Sequence, residues 1–118
     1  MQDLENFYTS VDSCANDIID RLGGNAALVK RFLAKFPSDG SYSELQSALA
    51  SDDTATAFRA AHTLKGLCAN LGINSLYKKS SEITEMLRAG DIISAKDALP
   101  SLDSEYKRVL LELSKLEG

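Results

Sequence analysis

Residues 60–72 read Ala60-Ala61-His62-Thr63-Leu64-Lys65-Gly66-Leu67-Cys68-Ala69-Asn70-Leu71-Gly72 and contain the only histidine of the 118-residue chain. In this stretch and the turn before it, apolar residues recur at the three-four spacing of a helix with one buried face. These apolar positions are Ala57, Phe58, Ala61, Leu64, Leu67, Cys68 and Leu71. At about 100° per residue, His62 lies roughly 140° from the middle of that face. The pattern therefore predicts an amphipathic helix that holds an imidazole in solvent.

Small residues share the side of the predicted helix on which His62 lies. They are Ala55, Gly66 and Ala69. A glycine within a helix costs about 1 kcal/mol relative to alanine, which suggests that something approaches the backbone closely at Gly66. We therefore expect Ala55, Gly66 and Ala69 to form a bare docking patch beside the histidine.

The chemistry available to this helix is that of a phosphoryl acceptor. A free imidazole has a pKa of about 6.5, so it is a nucleophile near neutral pH and can form a covalent intermediate. Lys65 lies one turn after His62 and Arg59 one turn before it. Both side chains can offset the charge of phosphoryl oxygens. The alternative interpretation is that Lys65 and Arg59 belong to an ordinary solvated basic face.

The other parts of a phosphotransferase are missing from the sequence. Phosphoryl transfer usually requires a nucleotide cradle and carboxylates that hold a metal, yet no GxxxxGK loop occurs. Asp52 and Asp53 are adjacent, but they lie where helix caps are expected. Two cysteines and one histidine show no zinc-ligand spacing. The sequence predicts a carrier that other proteins load and unload, with no metal or cofactor of its own.

Composition narrows the class of protein further. A chain of 118 residues forms one domain, here residues 1–118. The formal net charge of −4 argues against a nucleic-acid partner. The absence of 18 consecutive apolar residues argues against membrane insertion, and residues 1–5 do not resemble a signal peptide. Both cysteines, Cys14 and Cys68, occupy apolar helical positions, which predicts buried free thiols in the cytoplasm.

Helical periodicity extends over the whole chain, and polar turns divide it into six predicted helices. Glycines, prolines and capping residues set their limits. Pro100 is expected to kink or break the last helix. Short links favour antiparallel neighbours, so we predict an all-α fold, an antiparallel four-helix bundle with additional N-terminal helices. The predicted helices span about Asp3–Leu22, 26–36, Tyr42–Ser51, 54–71, 73–Ala89 and Ile92–Leu116.

The histidine motif His62-Thr63-Leu64-Lys65-Gly66, followed by Leu71-Gly72, resembles the signature of histidine-containing phosphotransfer (HPt) domains. The resemblance covers nearly the whole chain. Its wider frame consists of Leu22-Gly23-Gly24, Phe32 to Phe36, Leu45 with Ala48 and Leu49, and Arg88-Ala89-Gly90-Asp91.

The resemblance implies that His62 accepts a phosphoryl group from a receiver-domain aspartate and passes it to another receiver. The Mg²⁺ would belong to the receiver. Lys65 would be the lysine beside the phosphohistidine, and Gly66 the glycine that leaves room for the partner. The family often positions its imidazole with a glutamine, which the fifth predicted helix lacks. Ser81, Glu82, Thr84 and Glu85 lie near that level, and we take Ser81 and Thr84 as candidates for supporting the imidazole.

The resulting hypothesis is a phosphocarrier in a multistep two-component phosphorelay, with no enzyme activity of its own. Its expected partners are receiver domains of response regulators or hybrid kinases. We expect it to be cytoplasmic and monomeric. One alternative is a docking module that binds a receiver or kinase without being phosphorylated. Another is a structural bundle within a larger signalling protein. Phosphorylation of His62 distinguishes the first hypothesis from both.

Overall fold

The structure, a computed structural model, describes residues 2–116, which form seven α-helices and one short 3-10 turn. No β-strand occurs in these residues, so the all-α prediction is confirmed. The elements are α1 (Gln2–Ser10), α2 (Ala15–Arg21), α3 (Ala26–Lys35), the 3-10 turn (Phe36–Ser38), α4 (Ser41–Ala50), α5 (Thr54–Leu71), α6 (Asn74–Arg88) and α7 (Ile92–Leu113).

Helices α4 to α7 form the predicted antiparallel four-helix bundle. Helix α5 packs between α4 and α6, and α7 closes the ring by contacting both α6 and α4. The links between these helices are short, which makes successive helices antiparallel. Helix α7 therefore lies diagonally across the bundle from α5. Within residues 2–116, no helix is both long enough and apolar enough to cross a membrane.

The bundle core consists of the apolar stripes that the sequence pattern predicts. Each of the four helices contributes fully buried aliphatic side chains, including Leu45, Leu49, Leu64, Leu76, Ile83, Leu102 and Val109. At one end, the Tyr42 hydroxyl of α4 donates a hydrogen bond of 2.6 Å to the Asp103 carboxylate of α7. The Tyr42 ring also stacks on Tyr106, with 4.1 Å between the ring centroids. These contacts fix α7 against α4.

The first three helices pack against the outside of the bundle. Helix α1 contacts α7, and α3 contacts α5. The Arg108 guanidinium of α7 donates a hydrogen bond of 2.7 Å to the Ser10 carbonyl at the end of α1. The prediction of additional N-terminal helices is thus confirmed.

The prediction of a single first helix over Asp3–Leu22 is wrong, because the chain leaves the helix after Ser10. Asp12 adopts a left-handed conformation with a φ of 61°. The Val11 carbonyl accepts a hydrogen bond of 3.0 Å from the Ser75 N–H in the first turn of α6. The first N–H groups of a helix have no partner within that helix. The break between α1 and α2 thus supplies an acceptor to α6.

The break also changes the environment of one cysteine. Cys14 precedes the first residue of α2 and is exposed, so its predicted burial is wrong. Cys68 lies on the inner face of α5 and is buried as predicted, and burial raises the pKa of its thiol to about 12.

Two further details differ from the sequence expectations. Helix α7 continues through Pro100, so the break that was one of the two expected outcomes does not occur, and buried residues on both sides, Ala95 and Leu102 among them, pack against the bundle. This packing offsets the cost of about 3 kcal/mol for an internal proline. On α3, the apolar spacing of Leu28, Val29, Phe32, Leu33 and Phe36 predicts that Phe32 faces inward, but 37% of its surface is exposed.

Candidate functional site

The helix that carries the histidine is fixed at both ends. At its start, the Asp53 carboxylate accepts a hydrogen bond of 3.1 Å from the Thr56 N–H. Hydrogen bonds from Thr56 hold the pKa of Asp53 below its usual range. At its end, Gly72 adopts the left-handed conformation, with a φ of 73°, that the sequence predicts for a terminating glycine. The backbone of α5 is therefore capped at both ends, and it carries the exposed side chains of the helix.

His62 lies in the middle of α5 and is exposed, as the helical pattern predicts. Its neighbours Ala60, Ala61 and Leu64 are buried in the core. Within residues 2–116, the imidazole makes no hydrogen bond and no salt bridge. Both ring nitrogens are therefore free of protein partners in the described part of the chain.

The imidazole lies beside the aromatic ring of Phe58, one turn earlier on α5. The two rings are nearly parallel, with an interplanar angle of 12° and 5.9 Å between their centroids. The Arg88 guanidinium, at the end of α6, lies 5.0 Å from the centroid of the same Phe58 ring. Arg88 also pairs with Glu85, with 3.1 Å between Nε and the carboxylate oxygen.

The two basic residues beside the histidine have different surroundings. Lys65 is partly buried, whereas Arg59 is exposed and donates a long hydrogen bond of 3.4 Å to the Thr56 hydroxyl. Neither forms a salt bridge with a carboxylate within residues 2–116. Both positive charges thus remain available to an incoming anion.

The surface beside His62 carries only small side chains at three positions, so there it does not rise above the helix backbone by more than a methyl group. Ala55 and Gly66 are exposed, and Ala69 is partly buried. A methyl group added at Gly66 would meet no atom within 4 Å outside its own helical turns. The space above Gly66 is therefore open, and the glycine is not required by packing against another helix.

A family model described as the Hpt domain matches residues 4–112 of the chain. The chain belongs to the Hpt domain family. Hpt domains are phosphotransfer modules of two-component phosphorelays. Comparisons with curated proteins and with solved structures found no match.

In this Hpt domain, the residues considered as supports for the imidazole all lie on α6. Thr84 is fully buried, and its hydroxyl donates a hydrogen bond of 2.7 Å to the Ser80 carbonyl of its own helix. Ser81 is partly buried and Glu82 is exposed. In the described part of the chain, neither these three residues nor Glu85, which pairs with Arg88, forms a hydrogen bond with His62.

The adjacent carboxylates Asp52 and Asp53 have separate partners in this Hpt domain. Asp53 caps α5, whereas Asp52 pairs with Lys96 of α7. Within residues 2–116, no group of three or more His, Cys, Asp or Glu side chains is arranged to hold a metal ion.

Sequence reasoning did not identify the role of two residues in the site. Phe58 was assigned to the buried face of α5, and Arg88 was noted only as part of the family frame. The spacing of Phe58 and His62 does indicate that the two rings are close, because side chains four residues apart on a helix are neighbours. The position of Arg88 depends on how α6 packs against α5, which no local pattern specifies.

Proposed function

We propose that this Hpt domain relays phosphoryl groups between receiver-domain aspartates and that His62 is the phosphoryl acceptor. The observation that supports this best is the exposed imidazole, free of hydrogen bonds within residues 2–116, beside a low surface and two cationic side chains. A nucleophile must reach the phosphorus atom in line with the leaving oxygen. An imidazole on the convex surface of a helix can enter a recessed partner site.

The transfer is a displacement at phosphorus. A lone pair on one ring nitrogen of His62 forms the N–P bond, and the P–O bond to the receiver aspartate breaks. The electron pair of that bond stays on the aspartate, which regains its carboxylate, while the other ring nitrogen keeps its proton. Transfer to a second receiver is the reverse reaction with another aspartate.

The residues around His62 contribute charge and access. Lys65 and Arg59 offset negative charge on the phosphoryl oxygens as it is transferred. Ala55, Gly66 and Ala69 admit the rim of the receiver. The Mg²⁺ that such a reaction uses would be held by the receiver, so the domain acts as a carrier without a catalytic centre of its own.

We further propose that the domain works in the cytoplasm as a monomer. Receiver domains carry their aspartyl phosphate there, and both free cysteines suit a reducing compartment. One chain supplies all four helices of the bundle and closes the core, so a second copy is not needed to bury the apolar face of α5.

The decisive experiment incubates the domain with a phosphorylated receiver and Mg²⁺ and follows acid-labile phosphate on the domain. The wild-type domain should gain phosphate as the receiver loses it, and His62→Gln should gain none. Because His62 is exposed, the variant should keep the circular dichroism spectrum and thermal unfolding of the wild type. Phosphate on His62→Gln would contradict the assignment, and binding of the receiver without any transfer would favour the docking module.

A further inference from the structure

The imidazole of His62 needs a defined orientation for in-line attack. Within residues 2–116, however, it makes no hydrogen bond that could set this orientation. The torsion that turns an imidazole about its bond to Cβ has broad minima. In the absence of a polar partner, contact with a neighbouring ring is the interaction that restricts it. Phe58 provides this contact in a nearly parallel, stacked arrangement, and its centroid distance falls within the range of about 4.5–7 Å that aromatic pairs favour.

Phe58 is itself held by a second helix. Its side chain is partly buried beside the bundle core. The Arg88 guanidinium lies 5.0 Å from its ring centroid, which is within the distance of about 6 Å for a cation–π interaction. Arg88 is the last residue of α6. The orientation of a ring on α5 is thus linked to the end of the neighbouring helix.

Arg88 is in turn restrained by an acidic residue one turn earlier on α6. Its Nε donates hydrogen bonds to both carboxylate oxygens of Glu85, at 3.1 and 3.3 Å. We call the four side chains Glu85, Arg88, Phe58 and His62 the stacking chain. An exposed ion pair by itself contributes little to stability. Here it has a geometric consequence, because it holds the guanidinium beside the aromatic ring.

We propose that Phe58 and Arg88 are positioning residues for phosphoryl transfer, acting through the stacking chain in place of a hydrogen-bonding residue on α6. This inference rests on the proposed function of His62 as phosphoryl acceptor. Neither residue touches the phosphoryl group. Their effect is to keep the plane of the imidazole fixed relative to α5, so that its outward nitrogen faces the incoming receiver.

A purely structural role for Phe58 makes a different prediction. If the ring only filled the edge of the core, leucine would serve nearly as well, and the orientation of His62 would not depend on it. If the ring positions the imidazole, leucine keeps most of the apolar contact but removes the aromatic face. Tyrosine preserves the aromatic face and should therefore keep the orientation of His62.

The experiment compares Phe58→Leu, Phe58→Tyr and Arg88→Met with the wild-type domain. His62 is the only histidine, so its two ring C–H signals can be assigned unambiguously by NMR. In the wild type at least one of them should carry a ring-current shift from the Phe58 ring. Phe58→Leu should remove that shift, Phe58→Tyr should retain it, and Arg88→Met should reduce it. Circular dichroism establishes that each variant is folded.

Single-turnover transfer from a phosphorylated receiver supplies the functional readout. Loss of a defined reactive geometry slows transfer by up to about 100-fold. We expect a decrease of at least tenfold for Phe58→Leu, a smaller decrease for Arg88→Met and a near wild-type rate for Phe58→Tyr. Tyr77→Leu on α6 and Arg31→Met on α3 remove an exposed aromatic ring and an exposed guanidinium elsewhere, and should leave both the signals and the rate unchanged.

The outcomes separate this inference from the proposed function. If Phe58→Leu transfers at the wild-type rate, or slows transfer without moving the His62 signals, the positioning role is wrong and His62 remains the acceptor. If the wild-type domain accepts no phosphate from any phosphorylated receiver, the proposed function fails, and the positioning role fails with it.

Discussion

The Tyr8 hydroxyl donates a hydrogen bond of 2.7 Å to the Leu71 carbonyl, which joins α1 to the last residue of the histidine helix. The final carbonyl groups of a helix have no N–H donor within that helix. Arg21 of α2 donates to the neighbouring Ala69 carbonyl at 3.1 Å. Burial raises the pKa of the Tyr8 phenol, so it stays protonated and able to donate. The first two helices thus complete the C-terminal end of α5.

Tyr8→Phe should destabilise the fold. The substitution keeps the buried ring but leaves the Leu71 carbonyl without its donor, which costs about 1–3 kcal/mol. Urea denaturation should show a lower free energy of unfolding with an unchanged slope. Tyr77→Phe is the matched control, since Tyr77 is exposed and should unfold like the wild type. Equal stability of Tyr8→Phe and Tyr77→Phe would contradict a role for the hydrogen bond.

The sequence predicted most of the bundle because the local signals agreed with the packing. Apolar residues at helical spacing marked the inner faces of α4 to α7, and Gly72 ended α5 through its left-handed conformation. The same pattern placed His62 on the outside of α5, where the structure has it. Periodicity and capping are local properties, so a single sequence contains them.

The features that were not predicted depend on contacts between distant residues. Nothing in Val11-Asp12-Ser13-Cys14 is a glycine or proline, yet the helix breaks there, and the Val11 carbonyl accepts a hydrogen bond from the start of α6. Pro100 reads as a helix breaker, but packing on both sides of it keeps α7 continuous. The pairing of Arg88 with Phe58 arises in the same way from the packing of α6 against α5.

The two cysteines should differ greatly in reactivity. Cys14 is exposed, whereas Cys68 is fully buried and has a thiol pKa raised to about 12 by burial. Thiolate is the reactive form, so Cys68 should react only when the fold opens. A thiol reagent at pH 8 should modify one cysteine rapidly, and peptide mapping should identify it as Cys14. In denaturant, both should react at similar rates, and two fast thiols in the native protein would contradict the burial of Cys68.

Lys65→Ala should slow transfer without abolishing it. Lys65 follows His62 by one helical turn on α5 and has no carboxylate partner within residues 2–116, so its charge is free to meet an incoming anion. Removing a donor from a buried oxyanion site costs about 100-fold or more. At this more open site we expect a decrease of roughly tenfold and a shorter phosphohistidine lifetime. Lys107→Ala, which removes the same charge from an exposed position on α7, is the control. Wild-type rates and lifetime for Lys65→Ala would assign Lys65 to the solvated face.

Gly66→Gln should change stability and function in opposite directions. Gly66 is exposed on α5, and an added side chain meets no atom within 4 Å outside its own helical turns. Replacing a glycine inside a helix by a better helix former should therefore stabilise the isolated domain, by up to about 1 kcal/mol. The new side chain would project from the surface beside His62, where the proposed function places the receiver. We expect weaker receiver binding and slower transfer, measured by calorimetric titration and by single-turnover kinetics.

A matched substitution separates access from a general effect of added glutamine. Ser104 is exposed on α7, the helix diagonal to α5, so Ser104→Gln should bind and transfer like the wild type. Gly66→Ala adds only a methyl group and should fall between wild type and Gly66→Gln in transfer rate while gaining stability. Normal transfer by Gly66→Gln would show that the receiver does not approach over this part of α5. A loss of several kcal/mol in stability would instead show that Gly66 packs against another helix, contrary to the open space above it.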